Sequence, residues 1–139
     1  MKTLFKIKSL LKTYNIDAYI VPKNDEFFSE YAFPNRLKAV SNFSGSAGFS
    51  IITKSVNYLF IDGRYLIQSK MESGKNFKLI EIPYTYPKDI LNINKIKRIG
   101  YDPKLFTSST LERYFGHKYQ LIPIKKNLVD VIFLEKEKK

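Results

Sequence analysis

Cysteine is absent from the 139 residues, and histidine occurs once, as His117. The first absence excludes a disulfide scaffold, a cysteine nucleophile and any thiolate metal site, and it leans towards a cytosolic setting. One imidazole without a thiol also excludes most self-contained zinc sites, which draw on several His or Cys ligands. No stretch of about 18 consecutive apolar residues occurs, so a membrane-spanning helix is not expected. The first 11 residues have a basic start but neither an apolar core of signal-peptide length nor a small-residue cleavage site. Fixed-period repeats are missing too.

Arginine is scarce as well. Of 24 basic residues, 20 are Lys and four are Arg (Arg36, Arg64, Arg98, Arg113), against 13 Asp and Glu, for a net charge of +11. Such a charge suggests nucleic acid, because clustered cations neutralise phosphates and release counterions. Phosphate and base-edge recognition, however, relies on the bidentate guanidinium fork that this chain has little of. Ile (16 copies) and Asn (nine) are abundant alongside Lys, and all three share A/T-rich codons. The charge therefore reads as a solvated lysine coat, and a nucleic-acid partner is disfavoured.

What remains is one domain's worth of chain with 44% hydrophobic and 15% aromatic residues, enough for a packed core. Leu4, Phe5, Ile7, Leu10 and Leu11 recur at helical spacing between lysines, giving an amphipathic helix that ends near Tyr14 and Asn15. Residues 17–22 form a short apolar strand stopped by Pro22, and residues 23–46 read as loops and short helical turns. Residues 49–53 and 56–61 make a hairpin across Lys54-Ser55, an unfavoured turn pair. A helix over 64–73 follows, patterned by Tyr65, Ile67, Met71 and Glu72 and closed by Gly74, then a strand over 77–82 and a short helix from Pro87 to about residue 93. A strand at 99–101 precedes a helix opened by a capping box, Ser109 to Glu112, and ended by Gly116. Residues 119–124 form the last strand, and an apolar segment at 127–133 leads into a charged tail. This order predicts a three-layer α/β domain with a mixed β-sheet flanked by helices over residues 1–133, and a tail over 134–139.

Self-contained catalysis finds little support. Asp25-Glu26 is the only adjacent carboxylate pair in a loop that could carry function, and such pairs are usually just solvated. His117 sits after Gly116 at a helix end, where an imidazole suits the dipole. Ser44-Gly45-Ser46-Ala47-Gly48 is the most conspicuous pattern, but no Gly-Lys-Ser/Thr and no helix follow it, so phosphate binding is not indicated. Its small residues instead let the backbone turn tightly before a strand. In Asp62-Gly63-Arg64-Tyr65, Asp62 can cap the next helix, Gly63 can absorb the turn, and Arg64 can pair with a carboxylate or reach an adjoining surface.

Taken together, these residues resemble the N-terminal domain of aminopeptidase P, the Xaa-Pro aminopeptidases of the creatinase/prolidase superfamily. The resemblance rests on residues 17–22, Ser29-Glu30-Tyr31, Arg36-Leu37, residues 42–48 and 51–53, Asp62-Gly63-Arg64-Tyr65 with Gln68, Gly100-Tyr101-Asp102-Pro103, residues 121–123, and Asn127-Leu128-Val129-Asp130. In order and spacing they cover nearly the whole chain. Asn42 stands where the family commonly has Gly; Asn tolerates left-handed angles, so the turn is expected to survive. The stretch from Tyr31 to Arg36 is shorter than in many relatives.

The resemblance implies a ribonuclease-H-like motif and a non-catalytic role. In the family, hydrolysis before proline occurs in a C-terminal pita-bread domain that holds two divalent metals, commonly manganese, and that domain is absent from these residues. The chain is then expected to be an expressed fragment or the product of a split or decayed gene, with no catalytic residues, metal ligands or cofactors of its own. Its implied partners are the catalytic domain, from the same enzyme or a split-gene product, and further copies in a homo-oligomer. No membrane is implied, and the setting is cytoplasmic. Tyr31, Phe33, Arg36 and Arg64 are the candidate surface for peptide or partner, and an ordinary salt bridge is the plainer reading of Arg36. Gly45, Ser46, Gly48, Asp62 and Gly63 are the candidate structural motif. A free-standing nucleic-acid module and a folded remnant without function are the alternatives.

Overall fold

The computed structural model describes residues 2–23, 35–45, 47–92 and 95–137. Helix α1 (Lys2–Thr13) turns Leu4, Ile7 and Leu11 onto the sheet, half-buries Lys6 and Lys8, and leaves Lys12 exposed together with Phe5, which belongs to the expected apolar stripe. Lys8 bends back, its ammonium donating to the Thr53 carbonyl at 2.5 Å. Strand β1 (Ala18–Pro22) is buried along its whole length because both faces are covered. Tyr19 and Val21 point to one core, Ala18 and Ile20 to the other.

After the short helix α2 (Arg36–Ser41), β2 (Phe49–Thr53) runs antiparallel to β1 and β3 (Asn57–Asp62) antiparallel to β2. The unfavoured Lys54-Ser55 turn is held by Thr53, whose Oγ1 accepts from the amides of Ser55 and Val56 and donates to the Val56 carbonyl at 2.5 Å. A side chain thus closes what the turn pair alone would not favour. A 3-10 turn (Gly63–Tyr65) leads into α3 (Leu66–Ser73), and β4 (Lys78–Ile82) pairs parallel to β3. Helix α4 (Pro87–Ile90), β5 (Arg98–Tyr101), α5 (Ser108–Phe115), β6 (Gln120–Pro123) and α6 (Leu128–Glu137) complete the chain.

The sheet order is β4-β3-β2-β1-β5-β6, with β5 parallel to β1 and β6 parallel to β5. Helices α1, α2 and α6 cover one face, around Leu4, Ile7, Leu37, Val40, Leu128 and Ile132, and α3 joins them through Leu66. Helix α5 and the α4 region cover the other through Leu91, Leu111 and Phe115. The expected three-layer mixed sheet is present. Since β2 alone runs against the rest, β1, β3, β4, β5 and β6 all finish at one end of the sheet, where β2 begins.

Several boundaries differ from expectation. Helix α5 is capped by Thr107, whose hydroxyl accepts from the Thr110 amide at 3.2 Å, not by Ser109. The run Thr107-Ser108-Ser109-Thr110 offers several caps, and the cap at Thr107 brackets the first turn with Phe106 and Leu111, which join the same core. Glu112, expected in the capping box, instead meets His117 at 3.1 Å. Gly74 keeps right-handed angles (φ −61°) and so closes α3 without a left-handed turn. Helix α4 stops at Ile90, short of residue 93, because Leu91 turns extended (ψ 124°) and buries. The apolar segment after Asn127 is a helix, and α6 continues to Glu137 into the stretch expected to be a tail.

Candidate functional site

The motif residues gather at the common finishing end of the strands. Asn42 ends α2 in the left-handed conformation (φ 67°), as its place in a family glycine position requires. Gly48 has φ 144°, and a Cβ there would stand 2.9 Å from the Phe60 carbonyl, so only glycine fits the close approach of the loop to β3. At Gly45 a Cβ would overlap the Phe43 ring, which is itself buried and packs edge-on against Tyr65 at 5.8 Å. The Gly48 carbonyl accepts from the Lys23 amide at 3.3 Å and ties the loop to the end of β1.

A second set of bonds clasps this loop to α3. Glu72 accepts from the Ser44 amide (3.0 Å), the Ser44 hydroxyl (2.6 Å) and Gln68 Nε2 (3.3 Å). Ser73 Oγ donates to the Ser41 carbonyl at 2.7 Å, and Asn42 Nδ2 to the Glu72 carbonyl at 3.3 Å. The Ser44 hydroxyl first, then its amide, hold the Glu72 carboxyl below the usual carboxylate range. The helical pattern includes Glu72, but nothing local in the sequence marks Glu72 or Ser73 as partners of this loop.

Asp62 caps the 3-10 turn, accepting from the Arg64 amide at 2.9 Å and from Arg64 Nε at 3.2 Å. The Arg64 amide is the chief reason its carboxyl titrates low. Gly63 begins the turn, beside the Glu81 side chain. Arg64 is left largely in solvent, its side chain 74% exposed and its guanidinium over the Tyr65 ring at 5.4 Å.

Arg36 lies differently. Its Nε and Nη2 donate to the two carboxylate oxygens of Asp130 at 2.9 and 3.0 Å, with the side chain only 13% exposed. This fork, chiefly through its hydrogen bonds, raises the guanidinium pKa further. Its Nη1 is buried with no acceptor among the described residues. Around the pair, Asn127 Nδ2 donates to Asp102 (3.0 Å), Asn127 Oδ1 accepts from Val129 N (3.0 Å), and the Leu128 amide reaches the Tyr19 hydroxyl (3.3 Å). Burial pushes the Tyr19 phenol well above its ordinary range. The signature at 127–130, the Asp102 turn and Arg36 are thus one buried polar network that fastens α6 across β1 and α2. Nothing local in the sequence links Arg36 to Asp130, 94 positions away.

Tyr31, Phe33 and Ser46 lie outside the described residues. Arg36 and Arg64 are brought to different places: one joins α2 to α6, the other stands exposed on the turn before α3. Among the described residues, no three His, Asp or Glu side chains gather as a metal site. The two metals implied by the resemblance therefore find no fit among them.

Comparison with known proteins follows the same outline. Residues 4–131 match the model of the Creatinase/Prolidase N-terminal domain. Aminopeptidase P1 of Lotus japonicus is 37% identical over 145 residues, covering 96% of this chain and 22% of the plant protein. An X-prolyl aminopeptidase from Caenorhabditis elegans, described as a cytosolic enzyme with a di-nuclear active site, superposes with a TM-score of 0.80 at 29% identity, over 96% of this chain and 25% of that one. The N-terminal domain of the cytoplasmic peptidase PepQ from Mycobacterium tuberculosis shares the fold, with a TM-score of 0.72 at 16% identity, over 94% of this chain and 98% of that domain. The chain spans about 22% of the length of the curated relatives it matches.

Proposed function

Since the chain belongs to the creatinase/prolidase N-terminal domain family, we propose that it is the non-catalytic N-terminal domain of an Xaa-Pro aminopeptidase, acting in oligomer formation and in access to the active site. The observation that carries this reading is the match over residues 4–131, in a chain that spans about a fifth of its aminopeptidase P relatives. The described residues add hydrogen-bonding loops, the exposed guanidinium of Arg64, and Ile67 and Met71 standing in solvent on α3, which suit docking. Hydrolysis belongs to the remainder of such an enzyme, where two divalent metals, manganese among the candidates, would activate water. The setting is cytoplasmic, as described for the nematode enzyme.

Arg64, exposed at the sheet end, is the residue of this surface best placed to meet a partner or peptide. Arg36 contributes by fixing α2 to α6. The nucleic-acid alternative is not favoured, because the homology runs to peptidases. The test is turnover: the purified chain, supplied with Mn²⁺, releases no N-terminal residue from peptides with proline second. Chelator-sensitive release by this chain alone would overturn the assignment.

A further inference from the structure

The end of the sheet away from Asp62 and Arg64, where β2 finishes and the other strands begin, has a charge pattern of its own. The connections there, residues 14–17, 54–56, 74–77, 91–92, 95–97 and 116–119, carry Lys54, Lys75, Lys95, Lys97 and Lys118 against one carboxylate, Asp17. Summed over the chain, the charge says little of a partner; gathered at one end of the sheet, it sets a local field. A cleft of about 430 Å³ opens in this end. Its apolar lining is Val56, Tyr58, Ile90 and Ile96, the last three rooted in the core beneath α5, and its polar lining includes Lys54, Ser55 and Lys95.

We propose that this cleft binds a phosphomonoester carried on a small apolar or aromatic body, with the phosphate on Lys54 and Lys95 and the body on Val56, Tyr58, Ile90 and Ile96. Both ammonium groups stand exposed and meet no carboxylate among the described residues. The neighbouring acids are engaged elsewhere: Asp17, at the cleft wall, accepts from the Lys97 and Arg98 amides at 2.9 and 3.0 Å, and Asp89, beside Ile90 in the chain, accepts from the Tyr86 amide at 2.8 Å. Lys8, the other cation at the turn, donates to the Thr53 carbonyl. Two ammonium groups in one cleft match the nearly doubled negative charge of a phosphomonoester at neutral pH better than they match a single carboxylate. Lysine holds phosphate as a point charge, so such a site needs none of the guanidinium forks that reading a nucleic acid would. The volume is that of a small-ligand site, and the apolar side chains would be left wet by a bare phosphate. Thr53 closes the turn that carries Lys54 and Ser55 through its own hydroxyl, so this wall of the cleft is formed before any ligand arrives.

The probe is phenyl phosphate, titrated into the isotope-labelled chain at about 0.15 M salt, with inorganic phosphate and phenol as its two halves. The amides of Ser55, Val56 and Ile96, followed by NMR, should shift together to saturation, with a dissociation constant at least about 10-fold below that of either half. K54Q/K95Q should raise that constant at least about 10-fold with far-ultraviolet circular dichroism unchanged, whereas K75Q/K118Q, which removes the same charge from the same end outside the cleft, should leave it within about two-fold. Shifts that fail to saturate by about 20 mM, or that weaken equally in both double variants, overturn the site. Inorganic phosphate binding as tightly as phenyl phosphate would overturn the apolar half of the proposal and leave only an unselective patch of charge.

Discussion

Arg36 shows how much one side chain can be asked to do. It holds Asp130 through a two-pronged fork whose guanidinium side is closed (13% exposed) and whose carboxylate side is partly open (39%), so removing Asp130 strands the arginine charge. Asp130→Asn is expected to lower unfolding free energy by about 2 kcal/mol in urea titrations, with the slope of the transition unchanged. The double variant R36M/D130L should be less destabilised than the sum of its single changes, since it leaves no lone charge. Sequence reading had Arg36 as a residue of interest but could not supply its partner, because a pairing across 94 positions leaves no local trace. Asn42 is the opposite case: its tolerance of left-handed angles was legible from residue type alone and is met at φ 67°.

Among the elements, strands and amphipathic helices were readable because periodicity reports burial directly: α1, β1 and the β2–β3 hairpin fall within a residue or two of expectation. Element ends were less so, since several neighbouring Ser and Thr can cap α5 and only packing of Phe106 and Leu111 decides among them. The pattern over 64–73 places α3, but Ile67 and Met71 of that pattern stand in solvent while Ser69 and Ser73 are buried, because the small serines let α3 sit close to α2, with Ser73 donating to the Ser41 carbonyl. The Glu72 clasp gives this pairing a pH dependence. Its folded pKa is lowered, so its contribution is fully present above the unfolded value of 4.5 and is lost as pH falls through the lower folded value. The Ser44 amide, followed by NMR, should keep its clasped position down to pH 4.5 and shift only below it. Glu72→Gln should show the acid-like Ser44 position already at neutral pH, and an unchanged Ser44 signal in that variant would refute the clasp's role.

Across the whole molecule, the +11 charge proved a poor guide to partners, whereas the order and spacing of short motifs identified the family. Those motifs are far apart in sequence and meet in space: the residues at 127–130 close over Tyr19, Arg36 and Asp102. A chain ended after Ile124 should therefore lose its cooperative unfolding transition and expose apolar surface to a hydrophobic dye, while one ended after Glu137 keeps the transition and leaves the dye unbound. A sharp transition in the shorter chain would show that α6 is an accessory rather than a closure. During synthesis this geometry has a temporal meaning. Tyr19, Arg36 and Asp102 leave the ribosome well before residues 127–130, their partners, so the polar network of this domain closes only once those residues are free, in one late step.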